Sequence, residues 1–112
     1  MTSGDAMFWA IAEPLLERPD VERSAMMGHE CLRAGGAFVG MADGSGRLIV
    51  KLPAERVEEL ILAGEAEEFA PAGRVFREWA QLPAVDGSRW RDLLEEALAF
   101  AAGPTRPGEP PG

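Results

Sequence analysis

Hydrophobic and polar residues alternate in short runs through the middle of the chain and repeat at helical spacing elsewhere. Residues 37–42 are apolar on both faces of an extended chain, which predicts a central strand. A glycine turn at 43–46 separates them from residues 47–52, whose period of two is typical of a strand buried on one side. One face of that strand would carry Leu48, Val50 and Leu52, and the other Arg47, Ile49 and Lys51.

Three segments have helical periodicity. Residues 5–17 contain Pro14, which predicts a kink rather than a break because the apolar stripe continues past it. Pro53 stands at the expected first position of the second helix, and Gly64 is expected to end it. The third helix is expected to start near Asp86, and it has the strongest apolar stripe of the chain. Its members are Trp90, Leu93, Leu94, Ala97, Leu98 and Ala101.

The remaining strands are expected on both sides of this central part. A first strand is predicted around residues 31–33, after a short extended piece at 24–27. Residues 67–69 and 74–82 predict a second hairpin, because aromatic residues favour strands. The order is helix, three-stranded antiparallel meander, helix, two-stranded hairpin, helix. It predicts an α+β domain with a single sheet and helices packed on it.

Length and composition narrow the class of protein. The 112 residues suffice for one core, so we expect a single domain over residues 1–102 and a disordered Pro- and Gly-rich tail over 103–112. Cys31 is the only cysteine, which fits a reducing compartment. The chain starts without a basic leader, and no apolar run approaches the roughly 18 residues that cross a membrane. These features predict a cytoplasmic protein with no membrane association.

Charge argues against direct nucleic-acid binding. The chain has 19 acidic and 11 basic residues, a net charge of −8. A phosphate backbone would be repelled by most of this surface, because affinity for nucleic acids depends on neutralising phosphates with Lys and Arg. The simpler interpretation is that the negative charge keeps the protein soluble. The more specific one is that an acidic face of the protein binds a basic partner.

One short segment places a base, a carboxylate and a thiol in sequence: His29, Glu30 and Cys31. On a strand, His29 and Cys31 would lie on one side and Glu30 on the other, and no second histidine completes a metal set. A small buried cysteine is the favoured interpretation. We therefore expect no catalytic residues, no metal and no cofactor.

A few residues remain candidates for binding. Lys51, just before the helix that starts at Pro53, could hold a small anion together with free backbone N–H groups, although a solvent-facing lysine is the simpler alternative. Met26 and Met27 suit either an adaptable contact surface or core packing. Trp9 lies outside the expected core, unlike Trp79 and Trp90, and is interpreted as the mark of an interface.

With these motifs in order, the chain resembles the N-terminal domain of the TfoX/Sxy competence regulators and, more broadly, the YjbR-like small proteins of the MmcQ group. The resemblance covers roughly residues 21–101. It rests on Met26-Met27-Gly28, Gly36 through Val39, Leu48 through Leu52, Ala63-Gly64, Phe69, Gly73 through Trp79 and Leu82-Pro83. Relatives often have Met-Phe-Gly-Gly where this chain has Met26-Met27-Gly28-His29. The resemblance implies a fold like that of bacterial secretion chaperones and control of transcription through protein partners.

The first hypothesis is a non-enzymatic cytoplasmic regulatory or adaptor domain that binds another protein, with a homodimer left open. Its candidate binding residues are Met26, Met27, Gly28, His29, Lys51 and Trp9. The alternative is a domain that binds a small molecule or anion in a pocket between the sheet and the helices, which a deep cavity holding Lys51 or Cys31 would favour. Direct contact with DNA is a third class, disfavoured by the acidic balance.

Overall fold

A computed structural model describes residues 4–26, 28–43 and 46–102. The order of elements is α1 (Gly4–Leu15), β1 (Val21–Met26), β2 (His29–Ala34), β3 (Ala37–Ala42), β4 (Leu48–Lys51), α2 (Ala54–Leu62), β5 (Glu67–Phe69), a 3-10 turn (Pro71–Gly73), β6 (Phe76–Leu82) and α3 (Gly87–Ala102). The predicted α+β class with one antiparallel sheet and packed helices is confirmed. The tail predicted at residues 103–112 lies outside the described residues, as do Met27, Gly44 and Ser45.

The six strands form one sheet in the order β1-β2-β3-β4-β6-β5, and every neighbouring pair is antiparallel. Strand β3 has a neighbour on each side, so the prediction of a central strand at 37–42 is confirmed. After β4 the chain forms α2 and then β5, which is the edge strand of the sheet. Strand β6 follows and lies between β4 and β5. This insertion separates β4 from β5 by one strand and sets α2 beside β6.

The structure has one strand more than the meander predicted from the sequence. Strand β1 pairs with β2 over its whole length, from Val21 opposite Ala34 to Met26 opposite His29. Only a short extended piece was predicted there, because residues 21–26 do not alternate between apolar and polar. The reason is that β1 is an edge strand, and half of its residues are exposed.

The main core lies between the sheet and the helices. It combines the apolar stripe of α3 with residues of all three helices and of the strands that face them. Trp90 is fully buried there, and its indole N–H donates a hydrogen bond of 3.0 Å to the carbonyl oxygen of Ala84. The larger side chains of this main core with no more than 1% exposure are Phe8, Leu32, Val39, Leu48, Val50, Leu52, Leu60, Trp90, Leu93 and Leu94. The predicted α3 stripe is thus confirmed as core, with Ala101 only partly buried.

The other face of the sheet is also buried, which corrects the prediction of a strand buried on one side. Ile49 is 0% exposed, although it was expected on the open face with Arg47 and Lys51. It belongs to a second cluster, made only of strand residues: Cys31, Phe38, Met41, Ile49, Phe69 and Trp79, with Met26 and Phe76 partly buried against them. None of the three helices contributes to this second cluster, so aromatic rings take the place of a second helical layer.

A β-bulge in β3 changes which of its residues face each cluster. Leu32 pairs with Gly40 and the next residue, Arg33, pairs with Phe38, so Val39 is an extra residue on β3. Val39 joins the main core whereas Phe38 and Met41 join the second cluster. At the bulge a Cβ on Gly40 would lie 2.9 Å from Cδ2 of Leu94 and 3.1 Å from the backbone oxygen of Ile49, so glycine leaves room for both α3 and β4.

The helix ends follow the predicted residues with small shifts. Pro53 is the N-cap of α2 rather than its first residue, and its carbonyl oxygen accepts hydrogen bonds from the N–H groups of Arg56 and Val57. Gly64 follows the helix with φ of 78°, a conformation that favours glycine, as predicted. Helix α1 ends at Leu15, one residue after Pro14, so the predicted continuation to residue 17 is wrong.

The close contact at Gly40 predicts a specific coupling between sheet and helix. Gly40→Ala is expected to reduce the free energy of unfolding by about 1–3 kcal/mol, because the added methyl group would crowd the Leu94 side chain and the Ile49 backbone oxygen. In a protein that already carries Leu94→Val, and so lacks Cδ2, Gly40→Ala should reduce the free energy of unfolding by less. Urea unfolding of the two single variants and the double variant measures this coupling. Strictly additive costs would show that Leu94 is not the residue that excludes a side chain here.

Candidate functional site

An open groove of about 370 Å³ lies between α2 and the start of β6. One side is formed by residues of α2 at positions i, i+3, i+4 and i+7, which fall on one stripe of the helix. The other side is formed by β6, the residue before it and the neighbouring β5. The groove is lined by Ala54, Val57, Glu58, Ile61, Glu68, Val75, Phe76, Arg77 and Trp79.

The groove exists because two strands stop early. Strand β4 ends at Lys51, and the last backbone hydrogen bond beside it joins the Leu52 N–H to the Glu78 carbonyl oxygen at 2.8 Å. On the other side, the β5 pairing jumps from Glu68 opposite Ala80 to Phe69 opposite Phe76. The first residues of β6 therefore extend beyond the regular part of the sheet, and α2 lies beside them.

The rings of Phe76 and Trp79 form the floor of the groove and join it to the second cluster. The Trp79 ring lies 4.2 Å from the ring of Phe38, nearly parallel at 10°. Its centroid is 5.3 Å from that of Phe69 and 5.2 Å from that of Phe76. Trp79 is only 9% exposed. Rings packed in this way have few alternative rotamers, so the floor is preformed rather than created by a ligand.

The rim of the groove carries charged side chains that have no ion pair or hydrogen bond within the described part of the chain. Glu58 of α2 and Glu68 of β5 are exposed carboxylates, and Arg77 of β6 is an exposed guanidinium. None of the three appears in any ion pair among residues 4–26, 28–43 and 46–102. These groups are therefore free to meet charges on a ligand.

The neighbouring charges, in contrast, hold α2 in place. Arg56 donates to Glu96 of α3 through two nitrogens, at 2.9 and 3.1 Å, and to Glu59 at 3.0 Å. The hydrogen bonds to Glu96 and Glu59 raise the pKa of Arg56. Arg89 at the start of α3 reaches Glu65 after α2 at 2.7 and 2.9 Å. That hydrogen bonding lowers the pKa of Glu65 and raises the pKa of Arg89.

The candidate residues of the β1–β2 hairpin lie away from this groove. Met26 and His29 are paired across the two strands, and Gly28 between them has φ of 80°, as a tight turn requires. Met26 is partly buried against the second cluster, and His29 is half-buried. Met27 lies outside the described residues. The hairpin is at the β1 edge of the sheet, whereas the groove is at the β5 edge.

Trp9 and Lys51 are not brought together with the hairpin either. Trp9 packs edge-on against Phe8 at 5.0 Å, and the guanidinium of Arg23 covers its ring at 4.0 Å. The prediction that Trp9 is left over from the core is correct only in part, because Arg23 already covers one face. Lys51 is half-buried and lies opposite Trp79 in the sheet, but it does not line the groove.

The His29-Glu30-Cys31 segment does not converge on one point. Glu30 lies 3.6 Å from Arg23, on the side of the sheet where Trp9 lies, whereas Cys31 is 0% exposed within the second cluster. Burial raises the pKa of the Cys31 thiol, and neighbouring Arg33 lowers it by a smaller amount. The thiol is therefore protonated and shielded at neutral pH, as expected of a small buried cysteine.

Sequence analysis missed the groove itself. Trp79 was expected in the core, and it is indeed only 9% exposed. An apolar pattern indicates that a residue is buried, but not that one edge of its ring lines a groove. The useful signal was the turn at residues 70–73, which limits β5 to three residues. Exposed Val75 and Leu62, at 45% and 82%, mark the same region.

Within the described ranges, no group of three or more His, Cys, Asp or Glu side chains is arranged to hold a metal ion. The longest helix there, α3, has 16 residues, and none of the helices is both long and apolar enough to span a bilayer.

Comparison with models of known protein families, with curated proteins and with solved structures found no match.

Burial of Cys31 predicts a decrease in stability at alkaline pH. Because its pKa is raised in the folded state, the unfolded chain loses the thiol proton first, near pH 9.0. The contribution of the Cys31 thiol to the free energy of unfolding is therefore complete below that pH. It is lost as pH rises through the folded-state pKa of the thiol. The chain has no tyrosine, and Lys51 is its only lysine, so few other groups titrate there.

Urea unfolding of wild type and Cys31→Ala, from neutral pH to about pH 10, measures this effect. The wild-type midpoint should fall more steeply with pH than that of the variant. Parallel curves would mean that the thiol titrates equally in both states.

Proposed function

We propose that this chain is a non-enzymatic regulatory or adaptor domain that binds another protein through the groove between α2 and β6. The observation that carries the proposal is an open groove whose lining combines a preformed aromatic floor with charged side chains. Exposed apolar surface that is rimmed by charged residues is typical of protein-binding sites. The rim groups Glu58, Glu68 and Arg77 are of that kind.

The shape of the groove favours a polypeptide over a small molecule. Five of its nine lining residues are exposed: Ala54, Glu58, Glu68, Val75 and Arg77. A small ligand is usually held in a cleft that buries most of its surface, whereas a peptide needs an accessible surface with a few apolar contact points. Ile61 and Phe76, both half-buried, supply such points between the exposed rim and the buried Val57 and Trp79.

The resemblance to the N-terminal domain of the TfoX/Sxy regulators adds a cellular role to the proposal. It supports a cytoplasmic protein that acts on transcription through its partner, on a fold like that of secretion chaperones. The turn at Gly28 and the segment 73–79 are both part of that resemblance. The latter forms one wall of the groove, which connects the resemblance to the proposed site.

The alternative function is binding of a small molecule or anion between the sheet and the helices. The groove volume of about 370 Å³ lies within the range of small-molecule sites, about 300–1,000 Å³. Neither Lys51 nor Cys31, the two residues that would favour this alternative, lines the groove. The test below distinguishes the two functions.

Val75→Asp is expected to remove partner binding without unfolding the domain. Val75 is 45% exposed, so a carboxylate there remains hydrated in the free protein but would be buried against a partner. Val85→Asp is the matched control, because Val85 is 48% exposed and does not line the groove. The tagged wild type and both variants are used to capture proteins from native cytosol at low and high salt.

A protein retained in stoichiometric amount by wild type and Val85→Asp, but not by Val75→Asp, is the expected result. Retention by all three proteins would place the binding surface elsewhere. Capture of nothing, combined with stabilisation of wild type by a metabolite in a thermal-shift screen, would favour the small-molecule alternative.

A further inference from the structure

We infer that the groove between α2 and β6 receives a basic polypeptide segment, one that carries Lys or Arg beside bulky apolar side chains. This inference rests on the proposed function and adds the chemical class of the partner. It follows from the apolar floor of the groove and from the charge of the surface around it.

The apolar part of the segment is set by the walls of the groove. Val57 and Ile61 of α2 face Val75, Phe76 and Trp79 across an open space. The volume of about 370 Å³ has room for one or two large aliphatic or aromatic side chains. A hydrophilic basic chain would leave these walls in contact with water and gain nothing from them.

The many carboxylates around the groove are the reason to expect basic side chains in the bound segment. Residues 54–69, from the start of α2 to the end of β5, contain six glutamates and one arginine. That arginine, Arg56, is already bound to Glu59 and Glu96, as Glu65 is to Arg89. Glu58 and Glu68 line the groove on its two sides and have no ion pair in the described part of the chain. Arg77 is the one positive group in the lining, and Arg74 lies 5.6 Å over the ring of Phe76. Residues 54–78 nevertheless contain seven glutamates against three arginines, so the surface around the groove is acidic.

The same charges exclude other polymers as occupants. Nucleic acids and anionic lipid headgroups present phosphates, which the carboxylates on both sides of the groove would repel. An acidic peptide would be repelled for the same reason. A segment that places a cation near each of Glu58 and Glu68 turns this repulsion into attraction, and the resulting interaction weakens with salt.

Three synthetic peptides of equal length test the inference by fluorescence polarisation. The first contains Lys and Leu, the second Glu and Leu, and the third Lys and Ser. The Lys and Leu peptide is expected to bind wild type, more tightly at low than at high salt, and the other two to bind at least about tenfold more weakly. Val75→Asp should weaken binding of the Lys and Leu peptide, whereas Val85→Asp should leave its binding unchanged.

Two double charge reversals separate the local charge from the net charge. Glu58→Lys with Glu68→Lys is expected to raise Kd for the Lys and Leu peptide by about tenfold, because it reverses both rim charges. Glu17→Lys with Glu22→Lys makes the same change in net charge near the β1 edge, at the opposite side of the sheet, and should leave Kd within about twofold. All four positions are exposed, so both variants should keep the wild-type melting temperature.

Equal weakening by the two double reversals would overturn the inference, because the attraction would then come from net charge alone. Failure of the Lys and Leu peptide to bind, or equal binding of the Glu and Leu peptide, would overturn it as well. A separate result of the capture experiment tests the proposed function. A captured partner lost by Val75→Asp but kept by Glu58→Lys with Glu68→Lys would leave the groove as a protein-binding site and reject only its basic partner.

Discussion

Burial of both faces of the central strands is the constraint on which the rest of the structure depends. Side chains of β3 and β4 have no solvent-facing side, so each face of the sheet needs its own cover. The helices cover one face, and Gly40 lets α3 approach it closely. On the other face the rings of Phe38, Phe69 and Trp79 cover Ile49 without a helix. The extra residue at Val39 shifts the alternation along β3, so that Phe38 and Met41, three residues apart, both face the second cluster.

The position of the groove follows from the insertion of β6 between β4 and β5. Helix α2 connects β4 to β5, and β6 lies between these two strands. The helix therefore lies beside β6. The ion pairs of Arg56 and Arg89 then hold α2 and the residues after it against α3. The stripe of α2 that starts at Ala54 lines the groove, with the unpaired Glu58 on its rim.

Much of the fold was predictable from the sequence, because elements with a strong period or a clear boundary residue formed where expected. Helix α3, the bounds of β3 and the end of α2 at Gly64 are of this kind. Strand β1 was underestimated because an edge strand needs no apolar alternation. The second cluster was missed because Arg47 and Lys51 made the face of Ile49 look polar. The groove was missed because periodicity identifies apolar residues but not the pairing of strands, and it was pairing that left Val75 and Trp79 beside α2.

The strand order also has a consequence for when the groove forms during folding. Strands β1 to β4 are sequential neighbours, so their pairing closes only short loops. The pairing of β4 with β6 joins residues 48–51 to residues 79–82, across the whole of α2 and β5. Contacts between distant parts of a chain form late, since the entropy of closing the longer loop must be lost first. A partially folded molecule that retains the meander therefore has no groove, and recognition through it would select completely folded molecules.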